Sequence, residues 1–138
     1  MDSTTKPFEF YENVAKKVLT IEDNDLGTYA LKIGIYRASV AKCLYHEETY
    51  KIELEQNLDM VYKEKLHDFK YNSDIIIDKK DMDTYIKATD EFRMASKELQ
   101  TQEIKIKFIN EILNTLNNQS YLLNTAVKHE IWKAGGEA

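Results

Sequence analysis

Glu64-Lys-Leu-His67 places a carboxylate and an imidazole one helical turn apart, the spacing with which a helix offers two ligands to one metal ion. A di-iron bundle needs a second Glu-x-x-His and two further glutamates, and neither His46 nor His129 has an acid three positions before it. The pair therefore reads as a solvated helix end, and no metal is expected. Cys43 falls in register with Tyr36, Val40 and Leu54, which makes it a small packed hydrophobe rather than a nucleophile. Gly-rich phosphate loops, Gly-x-Ser-x-Gly and Cys-x-x-Cys are all missing from the chain, so neither a catalytic residue nor a cofactor is expected.

The second chemistry on offer is phosphate binding. Residues 61–80 carry five basic and four acidic side chains, whereas residues 1–60 carry seven and eleven and residues 81–138 seven and nine. The block Tyr62-Lys-Glu-Lys-Leu66 opens this least acidic stretch, with Lys63 and Lys65 near a helix end and Lys70, Lys79 and Lys80 along a loop and the next helix start. Tyr62, Phe69 and Tyr71 flank it and could stack on bases. Lysines at a helix end ordinarily just compensate the dipole. Copies aligned around one rim would multiply two such lysines into a charged track, because counterion release scales with the number of phosphate contacts.

The elements that position these residues must be helices. Residues 35–134 contain no glycine or proline, which removes the residues that make left-handed turns and helix stops cheap. An all-α chain is expected, with long amphipathic helices over about 8–19, 25–69, 80–117 and 120–134. Ile21-Glu-Asp-Asn-Asp25 supplies caps for the second helix, Asp78 or Asp81 for the third and Ser120 for the last, which Gly135 and Gly136 end. Gly27 and Gly34 weaken the start of the second helix, or else allow another helix to approach closely. Lys70 to Asp74 reads as a loop, with Ile75–Ile77 too short and β-branched to extend a helix.

From Tyr85 the spacing alternates threes and fours through Ala88, Phe92, Ala95, Leu99, Gln102, Ile106, Ile109, Leu113, Leu116, Ser120, Leu123 and Val127. This is a bundle or coiled-coil seam. A second stripe of Ile104, Phe108, Ile112 and Leu122 widens the apolar surface beyond what one intrachain neighbour needs, so self-association is expected through Ile106, Ile109, Leu113, Leu116, Leu123 and Val127, with a monomeric three- or four-helix bundle as the alternative.

At 138 residues the chain fits a single helical domain, with a variable N-terminal helix in 1–20, a long helix ending in the basic block in 21–70 and oligomerisation helices in 78–138. The charged fraction of 31% exceeds the ordinary share of about 25%, as helices with wide solvated faces require. The net charge of −5 argues against a generic nucleic-acid binder. Membrane insertion and secretion are not expected, since no apolar stretch is long enough to span a bilayer and residues 1–20 lack a leader's order. One cysteine makes no intrachain disulfide, so the cytoplasm is the default location.

The sequence resembles the UvsY family of recombination mediators from T-even-type phages. The resemblance lies in Ile21-Glu-Asp-Asn-Asp-Leu-x-x-Tyr-Ala, the Tyr36 region, Tyr62-Lys-Glu-Lys-Leu66, and Ala126-Val-Lys-His129 through Trp132-Lys-Ala-Gly-Gly-Glu-Ala138, in that order. It implies a non-enzymatic, all-helical protein acting in the host cytoplasm and assembled as a hexameric or heptameric ring through its C-terminal part. It also implies binding to single-stranded DNA, to the phage single-strand-binding protein and to a RecA-like recombinase, which such a protein helps load in recombination and repair. The family's basic pair falls on Lys63 and Lys65. Its second member is often Arg, which grips phosphate with two prongs as Lys65 cannot. Asn72-Ser73-Asp74 stands where the family has a Gly-rich loop, and residues 1–20 do not align. A different class of protein, a coiled-coil adaptor that binds only proteins, accounts for the acidic charge.

Overall fold

The computed structural model describes residues 4–20, 26–133 and 135, without the side chains of Leu26, Val127 and Glu130. Four α-helices and one π turn make up the described chain: α1 (Phe8–Leu19), α2 (Leu26–His67), the π turn (Asp68–Asn72), α3 (Met82–Lys87) and α4 (Asp90–Lys133). No strand occurs among the described residues. Residues 1–47 with 105–138 form one compact unit, and residues 48–104 form a second. The acidic run Ile21–Asp25, expected to cap α2, lies outside the described residues, as do Ala134 and Gly136.

In the first unit, α1 starts at Pro7, whose φ of −67° suits an N-cap and whose missing N–H costs nothing there. Glu9 in its first turn and Lys16 and Lys17 in its last complement the helix dipole. Tyr11 and Val18, two turns apart, turn inward onto Val40 of α2 and Ile109, Ile112 and Leu116 of α4. Tyr29, Ile33 and Leu123 form a second buried cluster. The last carbonyls of α1, which no helical N–H reaches, find side chains instead. Tyr29 Oη sits 2.8 Å from the Val18 carbonyl and 2.7 Å from Gln119 Oε1, while Gln119 Nε2 donates to the Leu19 carbonyl at 3.2 Å.

That arrangement corrects two expectations. The helix does not break at Asn117–Ser120, and Ser120 caps nothing: α4 runs through, because the polar insert faces the end of α1 and satisfies it. From Phe92 to Leu123 the 3-4 seam is an internal core rather than a free surface. Ile106, Ile109, Leu116 and Leu123 are buried within the chain and Leu113 packs half-buried against the first cluster; the side chain of Val127 lies outside the described residues. A heptad pattern reports that a helix face is covered, and an intrachain helix covers it as well as a second copy does. Of the second stripe, Ile112 is buried and Phe108 packs its ring 4.8 Å from that of Phe8, leaving only Ile104 and Leu122 exposed.

The second unit holds the lower part of α2, the π turn, α3 and the start of α4. The expected helix over 80–117 is interrupted at Ala88–Thr89. Thr89 Oγ1 donates to the Ile86 carbonyl at 2.7 Å and accepts from the Phe92 N–H at 3.4 Å, so a threonine rather than an aspartate side chain caps α4. Asp81 occupies the N-cap of α3 without a side-chain hydrogen bond. Gly34 lies inside α2 and a β-carbon there would meet nothing within 4 Å, so no helix among the described residues approaches closely at that point. Gly135 behaves as a helix-ending glycine, with φ of 85° and its N–H on the Trp132 carbonyl at 3.1 Å.

Candidate nucleic-acid interface

The lysines singled out from the sequence all fall in the second unit, at the end of α2 and around the segment that follows it. Lys63 is exposed and reaches back one turn to Asp59 at 2.8 Å. Lys65 is largely covered, its side chain 22% exposed, and lies 3.3 Å from Glu91 in the first turn of α4. The Glu91 carboxyl is held below the ordinary glutamate range by its own backbone N–H and then by Lys65. Residues two apart on a helix point to different sides. Lys63 and Lys65 therefore do not form one patch on a single chain, and each already has a carboxylate.

After His67 the helix does not simply stop. One π turn carries Asp68–Asn72, so Lys70 sits on a widened turn rather than in a loop. The Ile75 N–H then turns onto Ser73 Oγ at 3.2 Å, and the Asp81 N–H closes on the Asp78 carbonyl at 2.9 Å ahead of α3. Between these turns lies a groove of about 370 Å³ lined by Phe69, Lys70, Ile75, Ile76, Lys79 and Met82, among others. Lys80 stands 3.9 Å from Asp78. Lys70 and Lys79 differ from the other three lysines in having no carboxylate within ion-pair distance among the described residues.

Of the three flanking aromatic residues, Tyr62 is engaged internally. Its hydroxyl donates to Asp83 Oδ1 at 2.8 Å and its ring meets Phe92 edge-on at 6.1 Å. The Asp83 carboxyl is lowered by that hydrogen bond and by Lys87. Phe69 is half-buried with its ring 6.4 Å from that of Tyr85, whereas Tyr71 is exposed, 4.9 Å from the His67 ring. The Ile75–Ile77 groove was not legible as a site. Its only sign in the sequence is a β-branched run bounded on both sides by turn residues and charges.

Glu64 and His67 are both exposed, and no group of three or more His, Cys, Asp or Glu side chains able to hold a metal occurs among the described residues. Cys43 packs half-buried against the first core cluster; burial and then the Glu47 charge push its thiol up, away from the reactive thiolate. Among the described residues no helix is long and apolar enough to cross a membrane. Charge is unevenly divided: residues 48–104 hold nine Lys and Arg against fourteen Asp and Glu, and the remainder ten against ten.

Neither a family model nor a curated protein sequence matches this chain. Its architecture, a short helix packed on two long ones with a break before the second, is nonetheless that of a solved protein fold. The crystal structure of the bacteriophage T4 recombination mediator protein UvsY in one lattice superposes with a TM-score of 0.83 at 14% identity, covering 94% of this chain and 99% of that one. In a second lattice the TM-score is 0.82 at 13% identity, covering 93% and 99%. At this identity the likeness defines the fold.

Proposed function

We propose that the chain is a recombination mediator: a non-enzymatic protein that binds single-stranded DNA and helps a RecA-like recombinase replace the single-strand-binding protein on it, in the host cytoplasm of a phage. The observation that carries this reading is the superposition on a recombination mediator along nearly the whole of both chains. The lysines at the end of α2 and beyond it supply phosphate contacts. Lys63 and Lys65 must first give up Asp59 and Glu91; the exposed Lys63–Asp59 pair opens at little cost, since such pairs are worth only about 0–1 kcal/mol, and the largely covered Lys65 at more.

Self-assembly into a hexameric or heptameric ring belongs to the same proposal, since a chain whose second unit is acidic needs many weak contacts to hold an anionic strand. With the seam used internally, the assembly face passes to the exposed apolar side chains of the first unit: Leu31, Ile35, Tyr121, Leu122, Ile131 and Trp132. The adaptor reading, in which the chain binds only proteins, draws on the excess acid of residues 48–104. Labelled oligo-dT titrated at several salt concentrations separates them. A mediator binds with an affinity that falls steeply as salt rises, and Lys63→Ala with Lys65→Ala flattens that slope; no binding at low salt leaves the adaptor.

A further inference from the structure

Ile75 and Ile76 are 68% and 99% exposed at the tip of the segment between the π turn and α3. Two consecutive branched alkyl groups so exposed contribute little to the fold and leave an apolar tip open to a ligand. The same tip is flanked by Lys70 and Lys79, the two of the five candidate lysines that no carboxylate answers among the described residues. Below lies the groove with Phe69 and Met82 in its lining. A ligand that suits all of this is anionic at both ends and flat and apolar between them. A nucleobase between two backbone phosphates has that form.

We propose that this groove receives one unstacked base of a single-stranded nucleic acid, with Ile76 lodged as a wedge against the next base and Lys70 and Lys79 on the flanking phosphates. The inference rests on the reading of the chain as a single-strand binder and adds to it a place and a register. Local turns at both ends, through Ser73 and Asp78, shape the segment that carries the tip. Asp74 and Asp78 lie in the same segment, so charge alone is a weak attractant here and the apolar contact has to contribute to affinity.

The test uses the full chain and an oligo-dT carrying one 2-aminopurine, whose fluorescence rises when it is unstacked. Wild type is expected to bind and to brighten the probe. Ile76→Ser, at a fully exposed position that leaves the core alone, is expected to bind about fivefold more weakly and to leave the probe dim. Lys70→Ala with Lys79→Ala is expected to flatten the salt slope by about two phosphates. If Ile76→Ser matches wild type in affinity and brightness while both bind, the wedge is overturned and the single-strand reading stands. If wild type does not bind the oligonucleotide at low salt, that reading falls and the wedge with it. Sedimentation with phosphatidylserine vesicles that Ile76→Ser abolishes, with DNA binding unchanged, would reassign the tip to a membrane surface.

Discussion

Lys105 Nζ lies 3.3 Å from Glu47 Oε1, and the carboxylate it faces is wholly removed from solvent. The other oxygen, Oε2, accepts from the Tyr11 hydroxyl at 2.5 Å and the Lys6 backbone N–H at 3.0 Å. One buried acid thus ties together α2, α4, α1 and the strand of chain entering α1. Burying a charge is expensive, and this one is tolerable because donors surround it, among them Lys105, Tyr11 and the Lys6 N–H.

Lys105→Met should therefore cost about 3–5 kcal/mol, since it strands the carboxylate. The double variant Glu47→Leu with Lys105→Met should recover part of that loss, because it removes the unpaired charge but leaves the Tyr11 hydroxyl and the Lys6 N–H without their acceptor. Urea denaturation of the two variants followed by helical circular dichroism reads both numbers; equal destabilisation by single and double variants would contradict this account.

Tyr11 and Tyr29 both have their phenols raised above the ordinary value, each chiefly by burial, with Glu47 next for Tyr11 and Tyr36 for Tyr29. A raised folded-state value means that the neutral form is favoured by folding, so the stabilisation is fully present below the unfolded tyrosine value of about 10 and is lost as pH climbs above it. Urea midpoints should be insensitive to these groups up to about pH 10 and fall beyond it. Tyr11→Phe should lower the midpoint at neutral pH, through the lost hydrogen bond to Glu47, and reduce the alkaline slope.

Gly34→Ala should stabilise the chain by about 0.5–1 kcal/mol. The residue lies within α2 in open space, so alanine gains helix propensity without a clash. A fall in the thermal midpoint would mean that another chain packs on this position.

Leu116→Asp should unfold the first unit, because the side chain is completely buried among Tyr11, Val40 and Ile109. Leu122→Asp and Trp132→Asp should keep the helical signal and the melting temperature, since both side chains are about two-thirds exposed, and lower the assembled mass seen by light scattering. An unchanged mass in both would move the assembly face elsewhere.

The all-helical class, the bounds of α1 and the span of α2 were legible because each depends on local periodicity and punctuation. What was not legible was who covers a face. Ile109 and Leu116 have the spacing of an intermolecular seam, and only the path of α1 and α2 shows that the cover comes from within. The polarity of Asn117–Ser120 has the pattern of an interruption until the Leu19 carbonyl that Gln119 satisfies is in place. Thr89 was overlooked as a cap among neighbouring aspartates. The lysine block was visible as composition, but its two members' separate partners, Asp59 and Glu91, depend on which side of α2 meets α4.

The π turn at Asp68–Asn72 is equivalent to one residue more than an α-helix would hold. Each residue advances a helix by about 100°, so losing or gaining a single codon here turns the segment that follows, up to α3, around the axis by that angle. The isoleucine tip and its two lysines could in this way be re-aimed in one genetic step. The buried Glu47 network and both core clusters are built from α1, α2, α4 and the chain entering α1, and none of their residues lies in this segment. A lineage could thus retarget what this end of the molecule grasps while its scaffold stays under strict constraint.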